Sequence, residues 1–256
     1  MTPDSPLASE VIASPNHDER RSGARLDTII LHYTGMANAA AAVEHLASPE
    51  SKVSCHYVVH EDGHVLQMVP EARRAWHAGA GSWRGRGDVN SFSVGIEIVN
   101  PGHEYGYRPF PPKQIMAVAE LCRDVSARHG ISAESILAHS DTAPARKQDP
   151  GELFPWDALF REGVGHWAAP EPLGDGRHFG LGDRGQPVEA FQALLAAYGY
   201  EVEIDGNFGP ATRLVTLAFQ RHFRQSRVDG VADASTVTTL HRLLVALPNS
   251  PFASRA

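Results

Sequence analysis

The fold is decided by two short stretches, LDTIILHY at residues 26–33 and FSVGIEIV at residues 92–99. The first is an apolar, β-branched run, which is typical of a buried strand. The second alternates, so that its two isoleucines face one side of a strand and Glu97 faces the other. Each stretch therefore carries a polar side chain, His32 in the first and Glu97 in the second, among apolar residues where packing of the strand does not require it.

Strands and amphipathic helices alternate around these two stretches. An Ala-rich helix is predicted at residues 38–46, with an asparagine as its N-cap. Residues 53–59 and 64–69 flank an Asp-Gly turn and predict a hairpin. Residues 112–129 predict a helix with one apolar stripe that ends before a glycine, and residues 136–139 predict another short strand. The pattern indicates an α/β domain with a mixed central sheet flanked by helices.

The composition changes after this α/β pattern. Residues 168–182 contain Pro and Gly but few side chains that could be buried, which is typical of a linker. Residues 183–247 then predict a small domain of three helices. Within it, the Asp-Gly pairs at residues 205–206 and 229–230 begin two similar segments, each leading to a threonine that can open a helix.

Charge and hydropathy exclude several classes of function. The 256 residues carry a formal net charge of -7, so the chain has no general attraction to phosphate and nucleic acid is not expected as a partner. The apolar runs are too short for a transmembrane helix. No apolar signal segment lies near the N-terminus, so a cytoplasmic location is expected, or the periplasm and cell envelope if a signal was removed. Cys55 and Cys122 cannot form a disulfide framework and are expected to be small buried hydrophobes.

Four polar residues lie inside strands, at strand ends or shortly after them, where they could carry chemistry: His32, Glu97, His139 and Asp149. Two imidazole nitrogens and one carboxylate oxygen suit Zn²⁺ and leave its fourth position for water. The metal can lower the pKa of that water to about 7. Glu97 could then take the proton from water and return it to a leaving nitrogen, while Lys147 stabilises the oxyanion. Such a set would hydrolyse an unactivated amide.

Each of these residues also has an ordinary structural explanation. A histidine at a strand end is more often a hydrogen-bonded structural residue, and a glutamate in a strand usually lies at a solvent-facing edge. Asp149 precedes a proline and is by itself a turn former. His32 and His139 lie far apart in the sequence and no regular motif joins them. The residues alone therefore leave both the zinc site and the structural explanation open.

Six blocks of sequence decide between these explanations, and in chain order they are LHYTG (31–35), VSCHYVVHEDG (53–63), RAWHAG (74–79), SVGIEIVNPG (93–102), AHSDTAP (138–144) and RKQDPGELFPW (146–156). Together they resemble the type-2 N-acetylmuramoyl-L-alanine amidases, which are related to phage-lysozyme amidases and peptidoglycan recognition proteins. The resemblance covers residues 26–167, which it implies are a catalytic domain, and leaves residues 1–25 as an N-terminal extension.

The resemblance implies a role for each candidate residue. One Zn²⁺ would be held by His32, His139 and Asp149, with Glu97 as the general base and acid and Lys147 as the oxyanion stabiliser. The implied reaction is cleavage between the lactyl group of muramic acid and L-alanine, in peptidoglycan or in muropeptides, including anhydro forms. Such a hydrolase would act in cell wall degradation or peptidoglycan recycling.

Some phage members carry a tyrosine at the place of Cys55, so the resemblance places this chain in the branch that uses Glu97. His77 lies in a glycine-rich loop and is expected to line the substrate cleft. Arg84 and Arg86 are predicted to meet the carboxylates of an acidic stem peptide, or else to be solvated loop charges. For His56 a buried hydrogen-bonding role and a role in the site both stay open.

The remaining histidines of these blocks and turns are expected on the surface, namely His60, His64, His103 and His129.

Residues 180–245 resemble the small three-helix peptidoglycan-binding module through LGDRGQPVEAFQALLAAYGY (181–200) and IDGNFGPATRLVTLAFQ (204–220). The alternative is a helical packing domain without a ligand. Removal of residues 170–256 is accordingly expected to spare the cleavage of small soluble fragments and to weaken action on intact sacculi.

Two other functions compete with the amidase. Some relatives recognise peptidoglycan without cutting it, and a structural interaction protein would need no catalytic residues. The five candidate catalytic and metal residues are all intact, which favours the enzyme.

Overall fold

A computed structural model of the chain describes residues 2–176, 178–248 and 250–253. Its strands are β1 (Glu10–Val11), β2 (His17–Glu19), β3 (Thr28–Tyr33), β4 (Tyr57–Val59), β5 (Val65–Gln67), β6 (Arg73–Ala75), β7 (Ser82–Trp83), β8 (Arg86–Gly87), β9 (Ser93–Ile98) and β10 (Ile136–Ala138). Its helices are α1 (Ala39–Ala47), α2 (Val89–Phe92), α3 (Gly102–Tyr105), α4 (Pro112–His129), α5 (His139–Thr142), α6 (Trp156–Arg161), α7 (Gln186–Tyr198), α8 (Pro210–Phe223) and α9 (Ala234–Ala246). Short 3-10 turns occupy Pro49–Ser51 and Ala133–Ser135.

The central sheet has the strand order β1-β5-β4-β9-β3-β10. Only β4 and β5 run antiparallel among these pairs, so the sheet is mixed, as the sequence predicts. The three strands β9, β3 and β10 are parallel neighbours. Their carboxyl ends therefore meet at one edge of the sheet, where open α/β sheets bind their ligands.

Local sequence signals explain where the helices begin and end. The Asn38 side chain accepts a hydrogen bond from the Ala41 amide at 2.9 Å, which confirms the predicted N-cap of α1. α4 ends at Gly130, which adopts a left-handed conformation with φ 67°. The predicted hairpin is present as β4 and β5.

One face of the sheet is covered by α4. Ile29 and Ile96 from the central strands share a buried cluster with Val118 and Leu121 from the apolar stripe of α4. Side chains alternate along a strand, so Ile30 and His32 face the other side of the sheet. The candidate residues of the site therefore lie on the face away from α4.

Residues 2–25, the described part of the predicted N-terminal extension, contribute to the α/β domain. β1 adds an edge strand to the central sheet and β2 pairs with β6. The Asp4 carboxylate accepts a hydrogen bond from the Glu71 amide at 2.8 Å. Because these contacts include regular sheet pairing, the segment is part of the domain's structure.

The helices α7, α8 and α9 form the helical domain, and its internal repeat is structural. The Gln192 side-chain oxygen accepts from the Gly206 amide at 2.8 Å, and Gln220 does the same for Gly230 at 2.8 Å. Each Asp-Gly turn is thus fixed by a glutamine from the preceding helix. This confirms the repeat predicted from the sequence.

The helical domain packs on the sheet face opposite α4. Ile30 of β3 and Leu137 of β10 belong to the same buried cluster as Phe219 and Phe223 of α8. A continuous hydrophobic cluster therefore joins the two parts of the chain. Within the described residues, no helix is both long and apolar enough to cross a membrane.

Candidate active site

The sheet register brings three of the candidate residues together. His32 of β3 lies directly beside Glu97 of β9. β10 pairs with β3 so that Ala138 lies beside Leu31, and His139 follows as the first residue of α5. These side chains converge because three parallel strands end at the same edge, a relation that is not visible in local sequence.

Asp149 completes a set of three donor groups with His32 and His139, the metal triad. The Nδ1 atoms of His32 and His139 lie 2.9 Å apart, and each lies 3.0 Å from Asp149 Oδ2. All three side chains are buried. A backbone hydrogen bond of 3.1 Å from the Ser140 amide to the Asp149 carbonyl holds the Asp149 loop against α5. Among the described residues this is the one cluster that could hold a metal ion.

The hydrogen bonds of His139 leave its Nδ1 free to bind a metal. Its Nε2 lies 2.9 Å from the Ala78 carbonyl oxygen, which can only accept a hydrogen bond. The Nε2 nitrogen therefore carries the proton, and Nδ1 of the neutral ring presents a lone pair to the triad.

A chain of hydrogen bonds fixes His32 in the same tautomer. The Ser93 hydroxyl donates to the Val89 carbonyl at 2.6 Å, so it accepts from His77 Nε2 at 3.2 Å. The other nitrogen of His77, Nδ1, is then an acceptor for the Nε2–H of His32 at 3.1 Å. His32 Nδ1 is consequently unprotonated in the neutral ring. Two imidazole lone pairs and one carboxylate facing a single point form a donor set that suits a divalent metal such as zinc.

Gly95 makes this arrangement sterically feasible. A Cβ atom at Gly95 would lie 2.4 Å from Cγ of the His77 ring, closer than any side chain allows. The ring of His77 thus rests on bare backbone of β9, behind His32. His77, which the sequence places in the substrate cleft, borders the cavity and also supports a member of the metal triad.

Burial and neighbouring charges shift the pKa values of the titratable groups in the site. Burial, together with the nearby Asp149 carboxylate, raises the pKa of Glu97 well above its ordinary value, while Lys147 acts in the opposite direction. One carboxylate oxygen of Glu97 has no hydrogen-bond partner. Burial and the adjacent His139 lower the pKa of His32 to about 4, so His32 is neutral at pH 7. Burial opposes the charge of Asp149, whereas His139 and His32, when protonated, lower the Asp149 pKa below its usual range.

The metal triad opens into a cavity of about 470 Å³ that Glu97 and Lys147 also border. The Lys147 side chain is exposed there, whereas Glu97 is half-buried and one of its carboxylate oxygens is fully buried. Trp76 and Arg146, which are not among the residues predicted for the site, also line this cavity. Both lie in blocks that carry the family resemblance, which is the signal that could have indicated them.

His103, which is expected on the surface, is half-buried in the structure. It lines the cavity and stacks on Tyr107 with 4.3 Å between ring centroids. Its Nε2 lies 3.2 Å from Glu152 and its Nδ1 lies 3.0 Å from the Tyr33 hydroxyl. The short helix α3 places it there, a local structure that the sequence analysis did not predict.

The structure does not bring Arg84 and Arg86 to the cavity. Arg86 pairs with Asp27 at 2.8 Å and its guanidinium lies 4.0 Å from the Phe92 ring centroid. Arg84 lies in the turn between β7 and β8, and its amide donates to the Gly199 carbonyl at 2.9 Å. The loop that carries both arginines thus contacts Asp27, Phe92 and Gly199 instead of the cavity.

For His56 the structure favours the first of the two alternatives. Its Nδ1 accepts from the Gly95 amide at 2.9 Å, and its Nε2 lies 3.1 Å from the Arg73 carbonyl. It is a fully buried hydrogen-bonding residue. Cys55 and Cys122 are buried as expected, and burial raises the pKa of both thiols.

Two regions of the chain match models of known protein families. Residues 22–152 match the model of the N-acetylmuramoyl-L-alanine amidase family, and residues 184–240 match that of a peptidoglycan binding domain. The chain belongs to the N-acetylmuramoyl-L-alanine amidase family. The amidase match includes the whole metal triad and Glu97.

Similarity to individual proteins and solved structures supports this family assignment. The amidase is 38% identical over 238 residues to the N-acetylmuramoyl-L-alanine amidase AmiD of Escherichia coli (strain K12), which covers 86% of this chain and 83% of that protein. The structure of AmiD from E. coli with the substrate anhydro-N-acetylmuramic acid-L-Ala-D-gamma-Glu-L-Lys matches with a TM-score of 0.73 and 34% identity, covering 88% of this chain and 92% of that one. The structure of AmpDh3 from Pseudomonas aeruginosa in complex with anhydromuramic pentapeptide matches with a TM-score of 0.69 and 27% identity. The match covers 86% of this chain and 91% of that one.

Proposed function

We propose that this amidase is a zinc enzyme that hydrolyses the amide between the lactyl group of muramic acid and L-alanine. Its substrates are peptidoglycan or muropeptides, including anhydro forms. The observation that carries the proposal is the convergence of His32 Nδ1, His139 Nδ1 and Asp149 Oδ2 within hydrogen-bond distance of one another. The substrate class is supported by the muramyl peptides bound in the two related structures.

The metal triad would hold the zinc ion. Its two nitrogen donors and one oxygen donor match the three-ligand pattern of catalytic zinc sites. When bound, zinc supplies Lewis-acid chemistry, which polarises the amide carbonyl and makes water more acidic. Hydrogen bonds to Ala78 and His77 orient the two imidazoles before any metal arrives, so little rearrangement is needed.

Glu97 is the proton carrier in this proposal. It accepts a proton as water adds to the amide carbon, and it returns the proton to the nitrogen of L-alanine as the carbon–nitrogen bond breaks. Its partnerless carboxylate oxygen and its raised pKa support this role, because a base of very low pKa holds a proton too weakly. Lys147 borders the same cavity, and its cation can stabilise the negative oxygen of the tetrahedral intermediate.

The helical domain is proposed to bind peptidoglycan, supported by its match to the peptidoglycan binding domain family. Binding without cleavage is the alternative for the whole chain. A structural observation that favours the enzyme is the buried carboxylate oxygen of Glu97 that lacks a hydrogen-bond partner, since a recognition module has no need of such an atom.

A product assay with the zinc-loaded full chain tests the proposal. Soluble anhydro-muropeptide should yield a free peptide that begins with L-alanine, detected by mass spectrometry, with one zinc per chain. Glu97→Gln should retain the zinc and lose turnover by at least about a thousandfold, because Gln cannot carry the proton. Muropeptide binding without any such product would support the recognition module instead. Loss of zinc from the Gln variant would contradict the role given to Glu97.

A further inference from the structure

A buried carboxylate links the metal triad to the helical domain. Asp141 lies in α5, two residues after His139, and is 1% exposed. Its Oδ1 accepts the Tyr200 hydroxyl at 2.7 Å, and its Oδ2 accepts Nδ1–H of His222 at 2.7 Å. The Ala138 amide also donates to Oδ2 at 2.8 Å. Two of the three partners of Asp141 therefore come from the helical domain.

The helix that carries His222 also contacts the chain after the third metal-triad residue. Gln225, just beyond the end of α8, donates to the Phe154 carbonyl at 2.7 Å. The His222 ring stacks on Trp156 with 3.6 Å between centroids. Arg221 lies 3.8 Å from Glu152. The end of α8 thus abuts the segments that follow both His139 and Asp149.

The contact between the end of α8 and α5 affects the position of His139 as well as the attachment of the two domains. A buried carboxylate is strongly unfavourable unless it is hydrogen-bonded, so Asp141 holds its position only while Tyr200 and His222 are present. α5 has only one turn and cannot fix its own orientation by internal hydrogen bonds. His139 is its first residue, so the position of its imidazole depends on how α5 is anchored.

We propose that Tyr200 and His222 are positioning residues for His139, acting through Asp141, and that the helical domain is therefore a structural part of the metal centre. This inference rests on the proposed zinc amidase function. It extends that function because the domain assigned to peptidoglycan binding also sets the geometry of catalysis. The domain does so from the face of α5 that is remote from the cavity, since neither Tyr200 nor His222 borders it.

The test compares two conservative variants with a matched control in the full chain. Tyr200→Phe and His222→Phe keep an aromatic ring and each remove one hydrogen bond to Asp141. Tyr198→Phe is the control, because the Tyr198 hydroxyl is hydrogen-bonded to His166 Nδ1 at 2.8 Å and, among the described residues, makes no hydrogen bond to α5. Zn²⁺ affinity is measured by competition with a chromophoric chelator, and kcat and KM with soluble anhydro-muropeptide.

Zinc affinity should fall on the order of tenfold in Tyr200→Phe and His222→Phe, as for other residues that support a metal ligand. The kcat should fall while KM changes less than about twofold, and Tyr198→Phe should match the wild type. Thermal unfolding of the metal-free proteins checks that the variants fold. Tyr200→Phe removes a single oxygen atom and decides the question if His222→Phe does not fold.

Two results would overturn the inference. One is wild-type zinc affinity in Tyr200→Phe, and the other is an equal loss in Tyr198→Phe, which would indicate a general effect of stability. Failure of the proposed function is a separate outcome, since the wild-type chain would then neither bind zinc nor release the peptide.

Discussion

His32 and His139 offer the same ring nitrogen to the metal triad, but different parts of the chain hold them. His32 is supported within the α/β domain, through the chain of hydrogen bonds from His77 to Ser93 and the backbone of α2. His139 is supported on one side by the Ala78 carbonyl and on the other by α5, which Asp141 anchors to the helical domain.

The difference shows that the boundary between the two sequence families is not a boundary in the metal centre. The amidase match ends at residue 152 and the peptidoglycan binding match begins at residue 184. Hydrogen bonds from Tyr200 and His222 nevertheless reach the helix that begins with a metal-triad residue. One half of the site can be understood within the amidase match, and the other half cannot.

Among the changes that test this difference between the two histidines, the largest effect should come from removal of residues 170–256. The sequence analysis expects small soluble substrates still to be cleaved, but the structure gives a physical reason to expect otherwise. Removal would expose Ile30 and Leu137 and leave Asp141 with one of its three hydrogen-bond partners. We expect kcat on soluble anhydro-muropeptide to fall at least about a hundredfold, with loss of zinc, measured by product release and metal analysis. Full activity of the truncated chain would show that the two halves of the site do not differ in this way.

The support of His32 can be broken separately with His77→Ala. This variant removes the acceptor that fixes the His32 tautomer, and zinc affinity should fall about 10–100-fold in a chelator competition. Ser93→Ala removes only the far end of the chain of hydrogen bonds and should have a smaller effect. If Ser93→Ala weakened zinc binding more than His77→Ala, the proposed order of hydrogen bonds would be incorrect.

The smallest effect should be the change that Glu97→Gln makes to the stability of the metal-free protein. A carboxyl whose pKa is raised in the folded state binds its proton more tightly than in the unfolded state, so stability decreases as the pH rises above the ordinary value of 4.5. Glu97→Gln removes this dependence. The metal-free variant should melt a few degrees higher than the metal-free wild type at pH 7, and the difference should vanish near pH 4. Calorimetry across this pH range measures it, and a variant that is less stable at pH 7 would contradict the assigned burial cost.

Much of the fold could be predicted because its signals are local. The β-branched run of β3, the apolar stripe of α4 and the N-cap Asn38 each depend on a few neighbouring residues. The metal triad could be suggested from its residue types, but only the family resemblance favoured it over an ordinary structural explanation. The reason is that the register of β3, β9 and β10, which joins His32 to Glu97 and His139, is set by contacts between distant segments.

The residues that support His139 could not be predicted from local sequence, because they too are joined by contacts between distant segments. Asp141 lies in a recognisable block, but nothing near it indicates that Tyr200 and His222 are its partners. The one signal at His222 is that a histidine interrupts the apolar surface of α8 beside Phe219 and Phe223. Arg84 and Arg86 were candidates by charge alone, and the structure places their loop against other residues.

Anomalous diffraction from zinc-loaded crystals of the full chain tests the central claim most directly. We predict one strong zinc peak per chain, bonded to Nδ1 of His32, Nδ1 of His139 and a carboxylate oxygen of Asp149, with the two Nε2 atoms still hydrogen-bonded to His77 and Ala78. A peak bonded through either Nε2 atom, or zinc bound elsewhere with the metal triad empty, would contradict the account.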